Sequence, residues 1–422
     1  MNLILILCYL LFIVSCTHQQ QDKPDLVSIQ IIDRNGFAET MSTKDRLVRY
    51  QHVSFSDPQP YQKVLRVFAK NAEGKSPSTM TSYHDNGYIK QSLEILDGRA
   101  HGLYREWHAN GMLKMELYVI EGIADLSEDA CRSWIFEGTN RIFNEQGSCI
   151  AEIHYDKGLL QGTSTYFDAD GHLLKEIPYE CDKLHGTQRT FNSQGTLIAS
   201  LSYIQELREG ESFLCAEDGT LLAQEQFVQD LLQEGRYYTM KGELIAAIHD
   251  GYGQRAEFEN EQLVRKVSYE QGLPEGLVEC YTPDGFLHIV FSQHEGKKHG
   301  EEIEYYPKEP LQQKLLVTWS HDTLQGPVKT WFSDGTQESQ KELYQNKKNG
   351  LSLAWYRNGD LMLQEEYEND QLLSGSYYKK GDKKPISRII QGKGTASLYD
   401  SEGYFLRKIP YEKGYPILEG SP

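Results

Sequence analysis

Three histidines invite a chemical reading first. His101, His185 and His299 each stand directly before a glycine, in AHG, LHG and KHG. An imidazole recurring at one backbone position could build a row of metal ligands or general bases, since neutral histidine does both near neutral pH. Yet Gln161, Glu209, Gln325 and Asn349 take the same place before other glycines. The position asks for a polar side chain rather than for imidazole, so a turn role is the expectation. HEGKK at 294–298 lacks the second histidine of a zinc-protease helix, and QGKGT at 391–395 lacks the spacing of a phosphate-binding loop. Neither GxSxG nor CxxC occurs. Cys131, Cys149, Cys181, Cys215 and Cys280 are too scattered for a disulfide framework or a zinc cluster. Cys149 and Cys215 fall where other repeats place apolar residues, which suits small buried side chains. Carboxylates are abundant, at 61 Asp and Glu, but spacing alone selects no acid–base pair. The expectation is no enzyme, no cofactor and no metal.

The elements that carry these residues are copies of one another. Gly138, Gly162, Gly186 and Gly210 are 24 residues apart. The series continues through Gly235, Gly253, Gly276, Gly300, Gly326, Gly350, Gly375 and Gly394 in steps of 18 to 26. An earlier copy opens at Gly102, 36 residues before the next, with an insertion around ADLSEDACRS. Nine residues after the opening glycine, many units carry a second: Gly111, Gly147, Gly171, Gly195, Gly219, Gly285, Gly335, Gly359 and Gly403. These close polar stretches such as HANG, DADG, NSQG and YRNG. A hairpin turn whose last residue has positive φ wants glycine there. The opening glycines are expected to mark the return turns. Between the turns the period is two: in GTLIASLSY, Leu197, Ala199, Leu201 and Tyr203 alternate with more polar residues.

Four residues before the turn glycine stands an aromatic: Tyr83, Trp107, Phe143, Phe167, Phe191, Tyr281, Trp331, Trp355 and Tyr399, with Cys215 as the exception. One unit buries four or five apolar side chains at roughly 1.5–3 kcal/mol each. Ordering its backbone costs about 1–2 kcal/mol per residue, so neighbouring units must complete the fold. The expected fold class is all-β, an elongated single-layer antiparallel β-meander of stacked hairpin repeats about 24 residues long. Its apolar face either curls in on itself, which is the expectation, or pairs with another molecule, or forms a groove for a ligand. The aromatic row is the candidate binding face of such a groove, for a peptide strand or for glycan stacking.

The pattern resembles the MORN repeats, most closely their bacterial variant, on stretches such as YRNGDLMLQEEYENDQLLSG at 356–375 and FDADGHLLKEIPYECDKLHG at 167–186. The resemblance covers about residues 78–412. It weakens at 225–275 and at 303–316, where irregular or bulged units are expected. It implies an interaction surface, and some proteins with this variant are labelled antitoxins, which implies neutralising a partner toxin.

The N-terminus adds an address. Leu3 to Val14 is almost wholly apolar, long enough for a signal-peptide core and short of the roughly 20 residues of a membrane span. It ends in Ile13-Val14-Ser15-Cys16, which resembles the lipobox of bacterial lipoproteins and implies lipidation at Cys16. The run departs from that pattern in having no Lys or Arg before it. Thr17 in place of an aspartate implies an outer-membrane destination. The resulting division is a signal peptide at 1–15, a tether at 16–30, a divergent repeat or cap at 31–77, the array at 78–412 and a closing cap or tail at 413–422.

A net charge of −18 argues against nucleic acid, which needs a basic face. The expected function is a lipid-anchored protein of the bacterial cell envelope, its array an extended scaffold for a protein partner. The alternatives are an antitoxin-like protein and a glycan-binding or glycan-processing envelope protein.

Overall fold

The computed structural model describes residues 25–59, 62–308 and 310–417. The segment expected as signal peptide and Cys16 lie outside the described residues. Contacts group the chain into two units, residues 1–173 with 179–182, and residues 174–178 with 183–422. Both are built of antiparallel hairpins, and the protein is an all-β meander.

One repeat shows why these residues fold as they do. Gly186–Phe191 pairs with Leu197–Ile204, closing at Phe191 opposite Leu197. The turn between them is held by Asn192, whose Oδ1 accepts from the backbone N–H groups of Gln194 and Thr196 at 3.0 and 2.8 Å. Asn144, Asp168 and Asp400 act alike in their own turns. This is the side-chain turn that Asn and Asp make best. Gly195 follows at φ +78°, in the left-handed region.

The return turns differ from the expectation. After Leu197–Ile204 the chain reverses through Gln205 and Glu206, at φ 50° and 73°, with Ile204 opposite Leu207. Gly210 lies further on, inside the strand Leu207–Cys215, at φ 86° beside a break in register. Most opening glycines therefore sit at or beside bulges, where an extra residue bends the ladder, while Gly253 and Gly394 follow their turns in unbroken register. A two-residue turn needs positive φ at both centres, and this chain meets it with varied pairs: Lys157-Gly158, Cys181-Asp182, Asn369-Asp370. No single residue type marks it, so the bulge, which keeps its glycine, dominates the sequence pattern.

The residue before each bulge glycine ties one repeat to the next. Glu209 Oε2 accepts from Gln229 N–H at 2.7 Å, Glu275 Oε2 from Glu295 N–H at 3.0 Å and Asn349 Oδ1 from Asn369 N–H at 3.2 Å. In the first unit, Gln161 does the same for Cys181 N–H at 3.0 Å. The second turn residue answers in the other direction. Asp322, Asn346 and Asp370 accept from the N–H groups of Lys298, Leu324 and Lys348 at 2.8, 2.9 and 2.7 Å. Any side-chain acceptor serves at the site before the glycine, which accounts for the mixed composition there.

In the first unit, Asp25–Asp33 pairs with Ala38–Met41 and with Gln62–Lys70. The segment expected as tether is thus already strand from Asp25, because Ile29 is fully buried against Met41, Leu47 and Leu65. Adjacent strand residues face opposite ways. Leu65 packs with Leu47, Tyr50 and Phe55 of the segment after Met41, while Val64 packs with Leu126, Cys131 and Trp134 of the insertion. The two irregular segments cover the two faces of this sheet.

In the second unit, the irregular stretch near 225–275 proves to be a tight coil that occurs twice. Leu232 N–H donates to Gly272 O, Gly272 N–H to Gly251 O, and Gly251 N–H to Gln233 O, at 2.9–3.1 Å. Three successive return turns thus close a ring. Leu372, Gly414, Gly392 and Leu373 repeat the same ring with the same distances. A Cβ on Gly251 would lie 2.6 Å from Gly272 N, and one on Gly392 2.5 Å from Gly414 N. Phe227, Leu232, Tyr237, Ile248 and Val278 fill the first coil, and Leu372, Tyr377, Ile389 and Ala396 the second.

Candidate binding surface

The aromatic row closes hairpins. Tyr83 stands opposite Ile89, Trp107 opposite Leu113, Phe143 opposite Cys149, and Phe191 opposite Leu197. Tyr281, Trp331, Trp355 and Tyr399 stand opposite Leu287, Gln337, Leu361 and Phe405. Phe167 ends the strand Gly162–Phe167. Tyr83 is buried, its hydroxyl donating to Phe55 O at 2.9 Å, and the others are half-buried. The second-row glycines, Gly111 to Gly403, all have φ between 78° and 96°.

One cleft of the first unit lies under the insertion. It measures about 560 Å³ and is lined by Lys90, Gln91, Tyr104, Glu106, Arg132 and Trp134 among others. Trp134 leans on Tyr104 with ring centroids 4.8 Å apart, and its Nε1–H donates to Ile123 O at 2.9 Å, which fixes the insertion in place. Gln91 Nε2 donates to the Tyr104 hydroxyl at 2.9 Å, that hydroxyl to Glu106 Oε2 at 3.1 Å, and Lys114 Nζ to Glu106 Oε1 at 2.7 Å. Burial, then the Glu106 charge, holds the Tyr104 hydroxyl well above its ordinary value. The same two causes raise the Cys131 thiol. A second cleft of about 530 Å³, with Lys63, Arg66, Ser82 and Asp125, shares Lys90, Gln91 and Leu126 with the first. Sequence reading singled out neither the cleft nor Trp134; the insertion in the glycine spacing was the available signal.

Each coil of the second unit buries a carboxylate. Glu225 accepts from the Tyr237 hydroxyl at 2.7 Å and from Arg255 Nε at 2.7 Å. Burial works against the Arg255 charge, and Glu225 more than offsets it, so the guanidinium stays above its ordinary value. In the second coil Glu365 accepts from Tyr377 at 2.7 Å and from Tyr367 at 3.0 Å. Counting from the equivalent glycines Gly253 and Gly394, Ala396 replaces Arg255, and a second hydroxyl replaces the guanidinium.

Among the described residues, Asp168, Asp170 and His172 come together, as do Glu234, His249 and Asp250. Asp168 is already engaged by its turn's own N–H groups. His101 bonds Ile120 O at 2.8 Å, while His299 meets His294 and His321. Cys149, Cys215 and Cys280 are half-buried, with thiols raised by burial, and Cys181 is exposed in a return turn.

No curated protein matches the chain. The family model described as the MORN repeat variant matches residues 100–120 and 160–180. The first match spans one hairpin, from Arg99–Trp107 into Leu113–Glu121, and the second reaches from Leu159–Leu160 through Gly162–Phe167 into Leu173–Glu180. The chain is a repeat protein of β-hairpins, similar in these two segments to the MORN repeat variant.

Proposed function

We propose that this repeat protein is a non-enzymatic scaffold that binds a protein partner and is held at the bacterial cell envelope by a lipid on Cys16. The cleft under the insertion is the observation that carries the binding half. It sets Tyr104, Trp134 and the Leu126 side chain beside Lys90, Arg66, Glu106 and Gln91, the mix of aromatic anchors and polar groups that interfaces favour. The anchoring half is supported by the apolar run and the Ile13-Val14-Ser15-Cys16 ending. A lone acyl chain binds membranes weakly and lipoprotein-type anchoring adds more than one, so the array would sit at the membrane surface.

The test expresses the full chain and Cys16→Ala in a Gram-negative host with a palmitate analogue, followed by fractionation. Label on the wild type alone, in the membrane fraction, is the expected result. Unlabelled soluble wild type would remove the envelope reading. A photo-crosslinking residue at Leu126 tests the cleft. It should trap one defined partner that the same residue at exposed Met240 does not; equal capture at both sites would reject the cleft as the contact.

A further inference from the structure

We infer that His294, His299 and His321 form a binding site for a single divalent transition-metal ion of the zinc class, with Glu275 as the outer partner of His294. The three imidazoles come from successive hairpins of the second unit. His294 ends the strand Leu287–His294, His299 precedes the bulge at Gly300, and His321 opens the turn His321-Asp322. Their ring centroids are 4.7, 6.2 and 6.4 Å apart.

As they stand the ring nitrogens are spread more widely than the tightly grouped sets of Asp168, Asp170 and His172 and of Glu234, His249 and Asp250, and sharing one ion requires the exposed His294 ring to turn inward. A zinc–nitrogen bond of about 2.0–2.1 Å places each ring centroid about 3.2 Å from the metal, and tetrahedral angles then space the centroids about 5.2 Å apart. The His299–His321 pair is slightly closer than this, and His294 is about 1 Å further out. Rotation about its side-chain bonds closes that gap, since the ring is exposed.

His294 Nδ1 is engaged by Glu275 Oε1 at 2.7 Å, which leaves Nε2 as the nitrogen available to an ion. A carboxylate behind a histidine is the usual outer partner of a metal-bound imidazole. The backbone beneath is fixed as well. Asp322 N–H donates to Lys298 O at 3.0 Å and Lys298 N–H to Asp322 Oδ1 at 2.8 Å, pinning the turn of His321 against the strand of His299. Glu275 Oε2 takes the N–H of Glu295 in the turn after His294. Lys298 Nζ pairs with Glu302 and lies over Phe291 and Trp319, while Lys297 stands opposite His294 across the return turn.

The arrangement is specific to one junction. The same three backbone positions hold Glu270, Glu275 and Glu295 one repeat earlier, and Ser320, Gln325 and Gln345 one repeat later. Three neutral imidazoles select zinc, nickel or copper over calcium or magnesium. Three ligands leave a fourth position for water or for a side chain of a bound partner.

The test is calorimetric titration of the tag-free full chain with zinc chloride, with calcium chloride as control. One zinc per chain and no calcium is expected. His299→Ala and His321→Ala should each weaken zinc binding at least tenfold, and Glu275→Gln by about tenfold. Asp168→Asn and Glu234→Gln should leave it unchanged. Circular dichroism should show every variant folded, because all three histidines are exposed. Absence of zinc binding to the wild type, or unchanged binding in the triple histidine variant, would overturn the site.

Discussion

At the residue scale, the coils offer the sharpest contrast. Glu225 and Glu365 hold equivalent buried places, but one faces a cation and the other two hydroxyls. Removing one partner of a buried ion pair leaves the other charge without compensation. Arg255→Met should cost about 2–3 kcal/mol, toward the low end of that effect because a quarter of the Arg255 side chain meets solvent. Amides across 223–278 should then exchange roughly 30–150-fold faster, with those of 363–398 unchanged; equal protection in wild type and variant would show Arg255 to be dispensable. The tyrosines give a pH signature. Burial, assisted by Glu279 at Tyr281, pushes Tyr281 and Tyr356 up to about 12, against about 10 in an unfolded chain. A raised folded value means that the unfolded state loses its proton first. The contribution is therefore complete below pH 10 and is lost as pH climbs from 10 to 12. Phenolate absorbance should rise later in the native protein than in urea, and superimposable titrations would contradict the burial of these hydroxyls.

At the element scale, two glycines with nearly equal φ separate backbone strain from crowding. Gly195 is at +78° with nothing within 4 Å of an added Cβ, while Gly251 is at +81° with Gly272 N at 2.6 Å. Gly195→Ala should cost only the left-handed penalty, about 1–2 kcal/mol. Gly251→Ala carries the same penalty and also forces open the ring of turns, so it should cost several kcal/mol more and expose the core around Tyr237. Equal melting of the two variants would mean that the ring contributes nothing. Much of this level was legible in the sequence: the second-row glycines, the aromatic before each and the two-residue alternation all state local backbone needs. The return turns were not, because positive φ at two successive positions is met by Cys-Asp, Gln-Glu and Asn-Asp alike. The ring, the covering of both faces by separate segments, and the meeting of His294 with His321 depend on contacts between separate segments of the chain, which no spacing rule in a single hairpin encodes.

At the scale of the whole molecule, the links between repeats decide what can be removed. Return turns are tied by side chains or backbone to the repeat before them, so a neighbour is needed but a particular neighbour is not. Residues 326–349 form one full period: Gln325-Gly326 and Asn349-Gly350 occupy the same positions. Joining Gln325 to Gly350 keeps an amide acceptor before a bulge glycine and restores the tie to Asn369 N–H that Asn349 makes now. Deleting 326–349 should therefore preserve cooperative unfolding and strand signal per residue. Deleting 326–337 joins Gln325 to Glu338, removes a bulge glycine and one strand of a hairpin, and leaves residues 338–344 without their partner. That variant should lose cooperative unfolding in circular dichroism. If both deletions behaved alike, the array would be a stack of independent hairpins and the side-chain ties between turns would be incidental. If only the half-period deletion fails, the ties set the register, and repeat number becomes a free variable through which such a protein can change the reach of its surface without changing its fold.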